Sequence, residues 1–448
     1  MNSTRKLTIL VLTPDIVGRV NASMGSTIDL LKRGHRVVFF TEESFKGRQE
    51  SYGFEEYVYR MEMDGNAQQN QSNQQTTPKA GDRQANNMLA NGIIGPNEPI
   101  DKFRNLLRLF VLAPSAGVKI KKMDKYIKKA IEDVQPDLIW VDNTYLTPAV
   151  YYSKIPWLLQ ISTTPTYAFF DETLQIPPGG SGYPTNDNDK SKWIEFNQVR
   201  REFFYSKTLN DYIEEMGYER YPNDIRIPET QLLTIYSYAE ELNYPLFAKR
   251  KNWFNLECFN KNAKQERFEL DPKFVNDTLN GKWSGKWIYF SMGTMGSADL
   301  ELMVRLLSII STTNHKYVVS KGPKHEQIKL GSNMIGDRYV DQTRIIPFMD
   351  LVITHGGNNT VGETMTHGKP MIVLPLFADQ FDNAQRIHET GFGIRLNPYK
   401  FSNENLLNAI DHLLNDQELY ERMKNVSKRI RNTNRNEQLC ILIEQLLS

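Results

Sequence analysis

Short apolar runs rich in Val, Ile, Leu and Phe alternate along this chain with longer stretches whose apolar positions recur every three or four residues. A short continuous apolar run between turn residues predicts a buried strand, and the longer period predicts a helix with one apolar stripe. The strands predicted in the first half are LTILVL (7–12), RVVFFT (36–41), DLIWVD (137–142), WLLQIS (157–162) and LLTIYS (232–237). Between the second and third, Met123, Ile127, Ala130 and Val134 mark the buried face of a lysine-rich helix. The alternation restarts with KWIYFSMG (286–293), a helix through LELMVRLLSII, then KYVVS, LVITH, a helix after two asparagines, and PMIVLPL. From Asn403 to Leu447 the pattern is of successive amphipathic helices.

Strands alternating with helices predict parallel sheets, so the expected class is α/β with two Rossmann-like domains. The polar stretch from Cys258 to Gly285 has no clear period, and the boundary is placed at its start. This gives domains 1–257 and 258–428, with 429–448 a helix packing back toward the first. Residues 64–92 are rich in Gln and Asn and nearly devoid of apolar side chains, which predicts a flexible loop or disordered insert.

Composition changes this picture little. The 448 residues carry 54 basic and 53 acidic side chains for a net +1, so no nucleic-acid or polyanion surface is indicated. Two cysteines, Cys258 and Cys440, are too few for a disulfide framework and have no metal-ligand spacing, which favours a reducing compartment. The apolar run at residues 7–12 is too short for a secretory signal, and no run reaches the length of a membrane span. A cytoplasmic monomer is expected. The sequon Asn358-Asn359-Thr360 agrees, since a glycan there would block the stretch that carries the chemistry.

That stretch is VITHGGNNTVGE (352–363), a strand followed by a glycine-rich turn and a helix start. Ligands of open parallel sheets bind beyond the carboxyl ends of strands. Glycines permit close backbone approach, and the N-terminus of a helix beginning near Asn359 attracts phosphate oxygens. Asn359 and Thr360 add side-chain donors, and His355 adds a donor or a charge. Taken alone the stretch reads equally as a turn with an Asn helix cap. A second turn, SMGTMGSAD (291–299), places Ser291, Gly293 and Thr294 after another strand, and two such turns can clamp one diphosphate from both sides. LPLFADQFDN then ends a strand with Asp379 and Gln380, which suit sugar hydroxyls, although Asp379 also fits a helix cap.

Over YVDQ…THGGNNTVGETMTHGKPMIVLPLFADQ the chain resembles the donor signature of the family 1 UDP-glycosyltransferases, two-domain enzymes of GT-B fold whose domains face a cleft. LLKRGHRVVFFT and EELNYP extend the resemblance over nearly the whole chain, in the manner of macrolide-type or arthropod members. It implies an acceptor-binding first domain and a UDP-sugar-binding second one. His355, Gly357, Asn358, Asn359 and Thr360 would hold the diphosphate, Glu363 the ribose, and Asp379 with Gln380 the sugar, Gln380 favouring glucose. Tyr339 stands where many members stack a Trp on uracil, with Gln342 beyond it and Asp341 in place of a Pro, which weakens stacking. The implied donor is UDP-glucose, with no permanently bound cofactor and no metal, and the implied partner is a small lipophilic acceptor such as a phenol or thiol.

One departure matters most. The family's GHxNP, whose His is the general base, is GRVNA here, so Arg19 stands in the base position. Asp142, in LIWVDNTYLTPA, matches the carboxylate that orients the base. An arginine cannot accept a proton near neutrality. Either Arg19 neutralises Asp142 and lowers its pKa, or it binds an acceptor that is already ionised. The two functional expectations are an inverting transferase lacking its usual base and a UDP-sugar-binding pseudoenzyme.

Overall fold

The strand β1 (Thr8–Leu12) shows why the apolar runs are continuous. Its Ile9 and Val11 pack in one cluster with Val37, Phe39, Leu138 and Trp140, while Leu10 and Leu12 pack in another with Val38, Phe40, Ile139 and Val141. A parallel strand covered by helices on both faces needs an apolar side chain at every position. The computed structural model describes residues 5–61, 80–113, 115–230, 232–259 and 285–448.

With β1, the strands β2 (Arg36–Glu42), β3 (Glu55–Tyr59), β4 (Leu138–Val141), β5 (Trp157–Ile161), β6 (Thr234–Tyr236) and β7 (Trp253–Asn255) form one parallel sheet. Its order is β3-β2-β1-β4-β5-β6-β7. A second parallel sheet contains β8 (Trp287–Ser291), β9 (Lys316–Ser320), β10 (Met334–Asp337), β11 (Leu351–Thr354), β12 (Met371–Val373) and β13 (Gly393–Arg395), in the order β10-β9-β8-β11-β12-β13. The protein therefore has two Rossmann-like domains. In each sheet the order reverses between the first strand and the fourth, β1/β4 and β8/β11. A crevice opens beyond the strand ends at such a switch point.

The helices that matter for the site are α1 (Val17–Lys32), α2 (Ala80–Ala90), α3 (Pro99–Phe110), α4 (Ala116–Val134), α5 (Asn358–Thr366), α6 (Gln380–Glu389), α7 (Gln417–Asn432) and α8 (Arg435–Leu446). The helix predicted from the Met123 stripe is α4, with Ile127, Ala130 and Val134 buried. Part of the insert expected to be a loop is also helical. Residues 62–79 lie outside the described residues, but 80–90 form α2, which buries Ala85 and Met88. Met88, Ile93 and Ile94 cluster with Met295 and Phe377 of the second domain. Met88 and the Ile93–Ile94 pair just beyond the polar segment suffice because part of the surface they cover belongs to the other half of the chain.

Helix α8 lies on α1, its Leu439, Cys440 and Ile443 joining Val20, Met24 and Ile28 in one cluster. Glu444 accepts from Arg33 at 2.7 Å and pairs with His35 Nε2 at 2.9 Å, and His35 Nδ1 accepts the Leu7 N–H. Where the chain leaves the first sheet, the Glu257 side chain is fully buried on a backbone with φ of 62°. Arg429 of α7 reaches both Glu257 and Glu241 at 2.7 Å. Among the described residues no helix is long and apolar enough to cross a membrane.

Removing one partner of a buried ion pair strands the other charge. Arg429→Met should therefore cost about 3 kcal/mol of stability, read as a shift in the denaturant midpoint.

Candidate active site

Ser291 and Thr354 are register partners at the ends of β8 and β11, so the glycine-rich turns after them lie side by side. The His355 imidazole fills the space between the turns. A Cβ on Gly293 would meet its Cε1 at 2.6 Å, and one on Gly357 its Nε2 at 2.7 Å. Gly293 also has φ of +66°, so both conformation and close approach require glycine there. Burial pulls His355 down to about 4 against an opposing hydrogen bond to the Ser291 backbone. At neutral pH the ring is an uncharged hydrogen-bonding group, which removes the charge considered for it from sequence.

The cap of α5 is Gly357, with no side-chain hydrogen bond, so the reading of this turn as an asparagine cap does not hold. The first-turn N–H groups are left to backbone-directed ligands. In the second turn the Gly293 N–H is taken by Ser291 Oγ at 3.2 Å, and Thr294 lies within the single helical turn Gly293–Gly296. Gln342 Nε2 donates to Thr360 Oγ1 at 3.1 Å and to Glu363 Oε2 at 2.6 Å, bringing three of the expected nucleotide contacts together. Tyr339 is 47% exposed, with the Arg338 guanidinium 5.4 Å from its ring centre. Asp379 is the cap residue of α6 but makes no capping hydrogen bond. Burial and neighbouring Asp382 push it up to about 7, against Arg19 and a backbone hydrogen bond from Thr164. Gln380 Oε1 accepts from the Leu376 and Phe377 N–H groups at 3.0 and 3.3 Å.

From the first domain, Arg19 on the first turns of α1 meets Asp142 beyond β4 at 3.1 Å. Asp142 is fully buried and also accepts from Ser162 at 3.0 Å, Gln160 at 3.1 Å and Ser23 at 3.3 Å. Burial raises its pKa and outweighs these donors and Arg19, the opposite of the depression considered for Arg19 alone. Arg19 also lies within electrostatic reach of Asp379, where its charge favours the ionised carboxylate.

Polar side chains join the halves. Asn358 Nδ2 lies 3.0 Å from the Ser237 carbonyl and 3.2 to 3.3 Å from those of Thr163 and Ser162, so this amide, expected on the nucleotide, faces the first domain. Asn359 Nδ2 donates to the Gly18 carbonyl at 2.7 Å, while its Oδ1 is buried with no partner among the described residues. Sequence reasoning missed Asp382, which accepts from the Gly180 and Gly182 N–H groups and from Thr164 and Thr166. Its only signal was a second acid three residues after Asp379, one helical turn away. Burial pushes it to about 6. Among the described residues no group of three or more His, Cys, Asp and Glu side chains could hold a metal ion.

The sequence model of the UDP-glucoronosyl and UDP-glucosyl transferase family matches residues 249–433, a span that holds both turns, Gln342, Glu363, Asp379 and Gln380. The NDP-glycosyltransferase YjiC of Bacillus subtilis (strain 168) is 23% identical over 450 residues, 99% of this chain and 98% of that one. Residues 249–433 belong to this transferase family. Human UDP-glucuronosyltransferase 1A3 is 24% identical over 307 residues, 65% of this chain but only 56% of the human protein's length. Among solved structures, the glycotransferase of kitacinnamycin superposes with a TM-score of 0.63 at 17% identity, over 99% of this chain and 100% of that one. Spinosyn rhamnosyltransferase SpnG complexed with thymidine diphosphate gives 0.61 at 14%, also over 99% and 100%. At these identities the superpositions establish the GT-B fold.

Two outcomes follow for this protein. Gly293→Ala forces a Cβ into the imidazole on a left-handed backbone and should cost about 1–3 kcal/mol in thermal unfolding. Asp379, held near 7 against an ordinary 3.8, favours its protonated form when folded, so its ionisation opposes folding. The stability of Asp379→Asn minus that of wild type should rise as pH increases from about 4 to about 7 and level off above, in parallel denaturation series.

Proposed function

We propose that this protein transfers glucose from UDP-glucose, with inversion, to a small lipophilic acceptor. The carrying observation is the juxtaposition of two glycine-rich turns, joined through His355, with Asp379, the residue before Gln380, within electrostatic reach of Arg19 from the first domain. The backbone of α5 and the neutral His355 ring would bind the diphosphate and stabilise it as it leaves. Thr360, Gln342 and Glu363 would take the nucleoside, and Asp379 with Gln380 the hexose. The acceptor atom attacks the anomeric carbon from the face opposite the diphosphate, a new glycosidic bond forms, and the electrons of the breaking C–O bond pass to UDP.

The acceptor's proton sets the range of substrates. Arg19 cannot take it, and Asp142 lies fully buried with four side-chain donors on its two oxygens. A general base is worth roughly 10² to 10⁴-fold, whereas positioning and leaving-group stabilisation remain available. Phenols, thiols, carboxylates and N-hydroxyl compounds, which shed the proton to solvent or arrive ionised, are therefore the preferred acceptors, with Arg19 attracting the anion. The same Arg19–Asp142 pair supports the second reading, a protein that binds UDP-sugar without useful transfer.

The readings separate by UDP release and glucoside mass for wild type and Arg19→His, each offered UDP-glucose with an acidic phenol or an aliphatic alcohol. Wild type should glucosylate the phenol and not the alcohol, and Arg19→His should gain the alcohol. Wild type that binds UDP-glucose but turns over neither acceptor would leave the binding protein.

A further inference from the structure

Lys102, on α3 of the first domain, is 3% exposed, and no carboxylate among the described residues lies within ion-pair distance of it. Its Nζ reaches the second domain and donates to the Leu376 carbonyl at 2.6 Å. The Phe381 and Tyr399 rings stand 5.4 Å from the ammonium. Burying an unpaired ammonium is costly, and a methionine would fill the same space at less expense. Burial pulls Lys102 down to about 8, so the charge is present at neutral pH.

The partner carbonyl has a particular place in the site. It belongs to the peptide group joining Leu376 to Phe377, and the N–H of that same group donates to Gln380 Oε1 at 3.3 Å. The preceding N–H, of Leu376, donates to the same oxygen at 3.0 Å. A cation on the carbonyl polarises the peptide and strengthens the bond from its N–H. With Oε1 held by two N–H groups, the orientation of the Gln380 amide is fixed and its NH₂ is aimed by the backbone. The chain on either side is tethered too, Glu98 to Lys400 at 2.6 Å and Tyr399 to Asp299 at 2.9 Å.

We propose that Lys102 is a positioning residue for the donor sugar: by gripping the Leu376 carbonyl across the domain cleft it sets the Gln380 amide, making hexose recognition dependent on the first domain. This rests on the reading that Gln380 contacts the hexose. UDP lacks the hexose, so comparing UDP with UDP-glucose isolates the effect from general loss of structure.

Titration calorimetry on the full chain at about pH 7, where Lys102 is charged, tests it with four proteins: wild type, Lys102→Met, Lys102→Arg and Gln380→Ala. Lys102→Met should raise the Kd for UDP-glucose about tenfold and leave the Kd for UDP within about twofold. Lys102→Arg, which keeps a cation at the carbonyl, should recover part of that loss. Equal weakening of both ligands in Lys102→Met, or weakening of neither, overturns the proposal. If Gln380→Ala leaves the ratio of the two Kd values unchanged, or wild type binds neither ligand, the assignment of the sugar site itself falls. Lys102→Met failing while Gln380→Ala behaves as expected removes Lys102 alone.

Discussion

Every strand in a parallel sheet ends on the same side, and here the ends of two such sheets are turned toward one another. Polar groups between them are wholly or partly cut off from water and find partners in the opposite half. Asp382 finds the Gly180 and Gly182 N–H groups, Asn358 finds three carbonyls beyond β5 and β6, and Asn359 finds Gly18. Hydrogen bonds are directional where apolar contacts are not, so these pairs fix one relative placement of the domains. The site is assembled from both sides and inherits its geometry from that placement.

How much of this the sequence disclosed depends on how each feature is encoded. All nine strands predicted from apolar runs are interior ones, and the four that were not, β3, β7, β10 and β13, are the edges of the two sheets. An edge strand is only partly covered, as the half-exposed Trp253–Asn255 and the exposed Gly336 and Asp337 illustrate, so it carries no continuous apolar signal. The turns at Ser291 and His355 were legible because their function lies in local backbone chemistry that glycine and asparagine advertise. Asp382 and Lys102 were not, because their partners lie 200 or more residues away and an isolated Asp or Lys in a helix looks like solvent-facing charge. Helix α2 was misread for the same reason, its apolar surface being completed by Met295 and Phe377.

The Arg19–Asp142 pair has an electrostatic role whatever chemistry occurs beside it. A carboxylate with no exposed surface in a ring of neutral donors is expensive to ionise, and one guanidinium at 3.1 Å offsets part of that cost. The same guanidinium acts on Asp379 from across the cleft. One cation therefore serves carboxylates in both domains, and a neutral imidazole in its place would leave each of them harder to ionise.

The chain passes between the halves twice, near Glu257 and again between α7 and α8, and both passages meet in one cluster of charges. Arg429 and Arg435, which flank the second passage, both reach Glu257 beside the first, at 2.7 and 3.8 Å. Two arginines on the returning crossing thus hold the one carboxylate beside the outgoing crossing. The two crossings are tied to each other, and the halves are joined by a single charged clasp rather than by two independent linkers.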